Sequence, residues 1–234
     1  MKMKGNTIEL FSRTRSFSKV AKKLGYSTFC IELDKNFKAD LHTNILKVSL
    51  EDIPNKHISH LWASPPCNGF SVAVIGRNWD KRNFCPKTDS AREGLKLLDK
   101  TISLISDLLK KNTDMFFYIE NPRAMMRLVI DNIFSKYGII NYVRRTVTYC
   151  QYGDRRQKPT DIWTNNFNWI PRPICSKNDR CHEPAPRGSK TGTQGLNNKT
   201  LRGVIPEEIF REIFSSVENT TRIYRNQLRL EDFN

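Results

Sequence analysis

No stretch of the 234 residues approaches the run of about 18 apolar residues that a membrane-spanning helix needs. The beginning of the chain, MKMKGNTIELF, also lacks the apolar core and the small-residue cleavage site of a signal peptide. The six cysteines do not have the compact spacing of a disulfide framework. These absences predict a cytoplasmic protein with free thiols and no membrane partner.

Acidic residues are scarce, since 24 Asp and Glu face 39 Lys and Arg and leave a net charge of +15. In one compact domain this excess indicates a polyanionic partner, with nucleic acid the first candidate and an acidic membrane surface the second. A protein that is merely basic is the alternative. Hydrophobic residues make up 38% of the chain, which is enough for one domain with a buried core.

The periodicity of apolar residues predicts an α/β fold with a mostly parallel central sheet. Strands are expected at 6–11, 27–34, 58–64 and 115–120, with an antiparallel pair at 142–150 and 160–165. Helices are expected at 16–25, at 90–111 behind a Ser90–Glu93 capping box, from Pro122 to residue 137, and from Pro206. The resulting division is a core at 1–165, an irregular basic insertion at 166–203, and a segment at 204–234 whose helix packs back onto the core.

Cys67 follows two prolines at the end of an apolar run, in the stretch LWASPPCNGFS (61–71). A strand that ends in such a turn places the next side chain at the carboxyl edge of the sheet, where open parallel sheets bind ligands. The prolines fix φ and lack N–H donors, so the loop is stiff. A thiol on a stiff loop suits a nucleophile, and the alternative is a structural cysteine of the core.

Glu120 occupies the equivalent place at the end of the predicted strand FFYIE, directly before Asn121 and Pro122. We therefore expect Glu120 to face Cys67 across the sheet edge. A carboxyl group beside a thiol and an apolar strand can hold a proton for donation. The alternative is a carboxylate that helps to cap the helix expected after Pro122.

The motifs SPPC and ENP, each after a strand and in this order, resemble the DNA cytosine-5 methyltransferase family. The closest resemblance is to a small phage- and prophage-type branch, whose KPTDIW signature stands within CQYGDRRQKPTDIWTN (150–165). ELFSRTRSFS (9–18) stands where the family has its first cofactor-binding turn. The resemblance covers roughly residues 7–165 and implies a Rossmann-like S-adenosylmethionine-dependent methyltransferase fold in a bacterial or phage-infected cytoplasm.

The resemblance implies methyl transfer from S-adenosylmethionine to C5 of a cytosine that is flipped out of double-stranded DNA. Cys67 would add to C6, Glu120 would act at N3, and Lys158 would lie near the target base. Arg155 and Arg156 are expected to bind nucleic acid, unless they belong to a solvated basic hairpin. RNA as the substrate, or a non-catalytic nucleic-acid-binding protein on this scaffold, remain alternatives.

The resemblance also implies a set of cofactor-binding residues, in which Glu32 binds the ribose. They are Phe11, Ser12, Arg13, Thr14, Ser16, Phe17, Glu32, Leu33, Asn44, Ile45 and Pro65. Arg13 departs from the family, which has glycine there so that the backbone can approach the cofactor. A carboxylated S-adenosylmethionine, which would transfer a carboxymethyl group, is therefore a second possibility for the cofactor.

The insertion gives the remaining expectations. Cys175, Cys181 and His182 are spaced as Cys-x5-Cys-His and would need Cys150 as a fourth zinc ligand; because this spacing is uncommon, loop cysteines are the preferred interpretation and no metal is assigned. In the loop PRGSKTGTQG (186–195), Arg187 and Lys190 are expected to contact the nucleic-acid backbone. Since the insertion is small, we expect a short or relaxed target sequence. We also expect a monomer.

Overall fold

The computed structural model describes residues 4–71, 75–176, 178–184, 196 and 198–218. Seven strands form one sheet in the order β3-β2-β1-β4-β5-β7-β6. The strands are β1 (Asn6–Leu10), β2 (Ser27–Glu32), β3 (Leu41–His42), β4 (Ile58–Ala63), β5 (Phe116–Pro122), β6 (Val143–Thr148) and β7 (Pro159–Thr164). The helices are α1 (Ser16–Lys23), α2 (Ile75–Asn78), α3 (Asp89–Lys111), α4 (Ile130–Lys136), α5 (Lys199–Gly203) and α6, described over 207–218.

Neighbouring strands from β3 to β5 pair in parallel, whereas β7 is antiparallel to both β5 and β6. The predicted fold class, a mostly parallel Rossmann-like sheet, is confirmed, and so is the antiparallel pair at its end. Because these strands are parallel, the carboxyl ends of β1, β2, β4 and β5 share one edge of the sheet. The order of the strands reverses between β1 and β4. Ligands bind at this edge in open α/β sheets.

Apolar side chains cover both faces of the sheet, as alternation along the strands requires. In β4, Leu61 and Ala63 belong to the core under α3 and α4, while Trp62 belongs to the core on the other face. On that second face Phe17 of α1 stacks on Trp62 at 5.8 Å and on Phe214 of α6 at 5.3 Å. Each large apolar side chain buried in this way contributes about 1.5–3 kcal/mol.

The helix predicted to start at Pro122 is wrong in its beginning. β5 continues through Asn121 and Pro122, which pair with Asp161 and Thr160 of β7, and α4 begins only at residue 130. A proline also disfavours helical φ and ψ at the residue before it, so Asn121 stays extended.

The capping box predicted at Ser90 is also replaced. Thr88 caps α3 instead, and its hydroxyl accepts a hydrogen bond from the Ala91 N–H. Within the described ranges, no helix is both long and apolar enough to cross a membrane.

Candidate active site

The ends of β4 and β5 place Cys67 and Glu120 next to each other. Ala63 of β4 pairs with Ile119 of β5, so the chain after Ala63 runs beside Glu120. The side chain of Asn121 donates a hydrogen bond to the Pro65 carbonyl at 2.9 Å and joins the two strand ends. Cys67 begins a single 3-10 turn directly after Pro66.

The Cys67 thiol is partly buried and lies in a field of opposing charges. Burial raises its pKa, and the Glu120 carboxylate raises it further, whereas Lys158 and Arg202 lower it. Burial is the largest of these effects, so the side chain is a neutral thiol at neutral pH. Ionisation of Cys67 therefore depends on the nearby cations.

Glu120 is 5% exposed, and its Oε1 accepts a hydrogen bond from the Tyr149 hydroxyl at 3.0 Å. Burial raises the pKa of Tyr149 well above its usual value, and the adjacent Glu120 carboxylate raises it further. Tyr149 is therefore a permanent donor that holds one carboxyl oxygen in place. Sequence reasoning missed this contact, because Tyr149 lies in a turn after β6 and is remote from Glu120 in the chain.

Lys158 completes this group of side chains. Its ammonium donates to the Arg202 carbonyl at 3.1 Å and lies 4.6 Å from the centre of the Tyr149 ring. Burial lowers the pKa of Lys158, while Glu120 raises it. The predicted residues Cys67, Glu120 and Lys158 are thus brought together, and Tyr149 lies between the last two. We call these four residues the catalytic cluster.

Arg156 is corrected from a nucleic-acid contact to a structural residue. Its guanidinium is 3% exposed, forms an ion pair with Asp154 and donates to the carbonyls of Leu201, Arg202 and Val204. These bonds use its donors inside the protein and attach the chain before α6 to the β6–β7 connection.

The other predicted nucleic-acid contacts differ from Arg156. Arg155 is exposed, and the contact of its guanidinium among the described residues is a long ion pair with Glu183 at 3.7 Å. The predicted contacts Arg187 and Lys190 lie outside the described residues.

At the other part of the edge, Glu32 ends β2 and organises the turn after β1. Its Oε2 accepts from the Arg13 N–H at 2.8 Å, and its Oε1 accepts from the N–H groups of Leu33 and Asp34, each at 3.0 Å. A carboxylate oxygen has two lone pairs, so Oε2 keeps capacity for one further donor, whereas Oε1 already accepts two.

The turn after β1 keeps the shape of a glycine-containing loop although it lacks glycine. Phe11, Arg13 and Arg15 adopt φ values of 57°, 23° and 55°, in the left-handed region that costs a side-chain-bearing residue about 1–2 kcal/mol. The Arg13 guanidinium lies 4.8 Å from the centre of the Phe37 ring, in the loop between β2 and β3. Its position gives no support to a second carboxylate on the cofactor.

The remaining predicted cofactor residues divide into two groups. Ser12 is buried and its hydroxyl has no hydrogen-bond partner among the described residues, while Leu33 is 63% exposed beside Glu32. Pro65 is buried at the end of β4, and Ile45 is buried in the turn that Asn44 caps through the Leu46 N–H. These residues follow β1, β2, β3 and β4 in the chain.

Phe17 and its neighbours belong to the second group. The Phe17 ring is fully buried between Trp62 and Phe214, so its predicted contact with a cofactor is corrected to a core contact. The Thr14 hydroxyl lies 2.8 Å from the Ser16 hydroxyl, which also accepts from the Ile205 N–H. These two hydroxyls therefore join α1 to the segment before α6.

No protein-family model matches the chain. A curated relative, described as a probable DNA (cytosine-5)-methyltransferase of Frog virus 3, is 29% identical over 180 residues, which cover 74% of this chain and 76% of the viral protein.

Solved structures of a Spodoptera frugiperda DNMT2 variant and of the Entamoeba histolytica methyltransferase EhMeth are also similar. Their sequence identities are 18% and 14%, their TM-scores 0.47 and 0.48, and they align with 74% and 77% of this chain. The chain spans about half of either solved protein, 56% in both cases.

Proposed function

We propose that the protein transfers a methyl group from S-adenosylmethionine to C5 of a cytosine in DNA. The observation that carries this proposal is the catalytic cluster, in which a thiol, a carboxyl group and an ammonium meet at the ligand-binding edge of a Rossmann-like sheet. C5 of cytosine is a weak nucleophile, and a thiolate that adds to C6 makes it enamine-like. The viral relative's name agrees with this chemistry.

The proposed reaction begins when Cys67 loses its proton to solvent and its sulfur forms a bond to C6. This addition shifts the C5–C6 π electrons toward C4 and N3, and Glu120, after taking up a proton from solvent, donates it to N3 to take up the developing charge. C5 would then be nucleophilic enough to accept the methyl group that bound S-adenosylmethionine would supply. Loss of the C5 proton to solvent and of the Cys67 thiolate restores the ring, and N3 returns its proton to Glu120.

Two other residues of the cluster support these steps. Lys158 is the cation that favours ionised Cys67, because its charge lowers the pKa of the thiol. Tyr149 donates to Glu120 Oε1 and thereby orients the carboxyl group toward N3. Because the cluster lies beside buried strands, the target base must leave the helix stack to reach it.

The cofactor would supply an electrophilic methyl group on a sulfonium. Glu32 is suited to its ribose hydroxyls, Leu33 and Ile45 to the adenine, and the unpaired Ser12 hydroxyl to the polar tail. Arg13, Thr14, Ser16 and Phe17 contribute the turn and the helix behind it rather than side-chain contacts.

The test is transfer of a labelled methyl group to DNA, followed by mass spectrometry of the nucleosides. Wild-type protein and a Cys85→Ser control, which removes an exposed thiol, are expected to produce 5-methylcytosine. Cys67→Ser should lose the activity by about 10⁴-fold or more while still binding DNA. Transfer that persists in Cys67→Ser contradicts the covalent mechanism.

A second arm traps the adduct. With 5-fluorocytosine in the DNA there is no C5 proton to lose, so a complex containing Cys67 should survive denaturation and be located by peptide mass spectrometry. RNA of the same sequence is assayed in parallel, and transfer to RNA alone contradicts DNA as the substrate. Binding of DNA without transfer to either nucleic acid would indicate a non-catalytic protein.

The target sequence is proposed to be short, because 166–203 is the only segment between the β6–β7 pair and α6. Methylation of a random-sequence DNA library, read by bisulfite sequencing, should show a preference over two or three base pairs. Strict discrimination over about five base pairs would contradict this proposal.

A further inference from the structure

Three cysteines and a histidine meet beside the β6–β7 connection, away from the residues used above. Cys150 lies in the turn after β6, and Cys175, Cys181 and His182 lie in the segment that follows β7. One ligand atom from each lies within 4.8 Å of the other three. We call these four residues the sulfur cluster.

The distances inside the sulfur cluster are those of a metal centre. Tetrahedral zinc, at about 2.3 Å from sulfur and 2.0–2.1 Å from nitrogen, separates sulfur from nitrogen by about 3.6 Å and two sulfurs by about 3.8 Å. His182 Nδ1 lies 3.7 Å from Cys175 Sγ and 3.6 Å from Cys181 Sγ. Cys150 Sγ lies 3.2 Å from Cys175 Sγ and 3.5 Å from Cys181 Sγ, far beyond a disulfide bond.

The surroundings of the sulfur atoms also suit thiolate ligands. The Gln157 amide donates to Cys175 Sγ at 3.3 Å, and the Gln151 amide donates to Cys181 Sγ at 3.4 Å. Such outer donors orient metal ligands and offset part of their charge. Both glutamines come from the β6–β7 connection, so this connection supplies one ligand and two donors to the others.

The segment that carries three of the ligands is anchored in its first part by the buried Trp169 and by the ion pair between Arg172 and Glu212, but the part with the ligands is irregular. No helix or strand is described between β7 and residue 184, and Ile170 and Ile174 are 78% and 53% exposed. Small irregular segments without a hydrophobic core are commonly held by a metal ion.

We propose that Cys150, Cys175, Cys181 and His182 bind one zinc ion in a structural site. Four protein ligands close the coordination sphere, which excludes a zinc-bound water and assigns the ion to architecture. The ion would attach the start of the insertion to the turn that carries Tyr149. It would also fix Glu183, whose N–H donates to the Arg155 carbonyl at 2.9 Å.

The experiment measures metal content by inductively coupled plasma mass spectrometry on the full-length protein, purified under reducing conditions and dialysed. We expect one zinc per chain, and Co²⁺ in its place should give the intense visible bands of tetrahedral cobalt together with thiolate charge transfer. Cys181→Ser and His182→Gln each remove a ligand from the segment after β7, and each should weaken zinc binding by at least about 100-fold.

Cys85→Ser is the matched control, since it removes an exposed cysteine outside the sulfur cluster and should leave one zinc per chain. Circular dichroism of the two ligand variants should show an intact sheet. A wild-type protein that takes up no zinc, an octahedral cobalt spectrum, or wild-type affinity in both ligand variants would each overturn the proposal. None of these outcomes depends on methyl transfer, so the site can be tested separately from the activity.

Discussion

Tyr149 and Cys150 are neighbours in the chain, yet they belong to two clusters that are built in different ways. Tyr149 reaches Glu120 in the catalytic cluster, whose members are held at the ends of β4, β5 and β7. Cys150 reaches Cys175 in the sulfur cluster, where three of the four members lie in a segment without helices or strands. The comparison teaches that strands can position reactive groups without a ligand, whereas an irregular segment needs the ligand as part of its structure.

After Cys67→Ser, the largest effect on methyl transfer is expected from Lys158→Gln, which removes a cation from the catalytic cluster only. Methyl transfer should fall by about 10²–10³-fold. Because burial raises the pKa of Cys67 above the usual thiol value of about 8.5 and the thiolate is the nucleophile, the wild-type rate should keep increasing with pH to above about 8.5. In the variant the increase should move to higher pH, since a charge that lowers this pKa is lost. Single-turnover rates against pH check this, and an unshifted profile would assign Lys158 another role.

The second effect is on stability and concerns β4, the strand that precedes Cys67. His60 is 1% exposed among aromatic rings, and burial lowers its pKa to about 4. The unfolded chain takes up a proton below about pH 6.5 and the folded chain does not, so stability should fall between pH 6.5 and 4, by up to about 3 kcal/mol.

Urea unfolding at several pH values measures this loss, and His60→Phe should reduce it. Burial raises the pKa of Glu9 to about 7, which acts in the opposite direction, so the difference between wild type and variant is the relevant quantity. Equal pH slopes in both proteins would contradict the assignment to His60.

A smaller effect separates the two clusters directly. Tyr149→Phe removes the hydroxyl that holds Glu120, and the loss of a hydrogen bond to a charged group should slow transfer about tenfold. Zinc content should stay at the wild-type value, because the backbone that places Cys150 is unchanged. Parallel assays of transfer and metal content check this. A loss of zinc in this variant would show that the two clusters depend on each other.

The smallest effect is expected from Arg13→Gly, outside both clusters. Glycine adopts the φ of 23° without a side-chain clash, so the free energy of unfolding should rise by up to about 1 kcal/mol, less the contact with Phe37. Thermal unfolding with Arg13→Ala as the control checks the sign. A glycine variant that is less stable than the alanine variant would contradict the strain argument.

Much of the fold and part of the candidate site followed from the sequence because the signals were local. Strand ends with Pro-Pro and Glu-Asn-Pro marked Cys67 and Glu120, and alternation of apolar residues marked the strands. Contacts between distant segments gave no such signal.

Arg156 was interpreted as a surface cation, because the sequence does not show that the carbonyls of Leu201, Arg202 and Val204 accept its hydrogen bonds. The uncommon spacing of Cys175, Cys181 and His182 favoured loop cysteines, although Cys150 was named as the possible fourth ligand. The β6–β7 connection brings Cys150 to the other three.

The hydrogen bond from Asn121 to the Pro65 carbonyl has a mechanical consequence. The bond couples the proline turn to β5, so that a displacement of the turn also displaces the strand that carries Glu120. Cys67 and Glu120 would then move together when a base binds, and the distance between them would be preserved. Asn121→Gln, which has a longer amide side chain, would change this distance without replacing either reactive group.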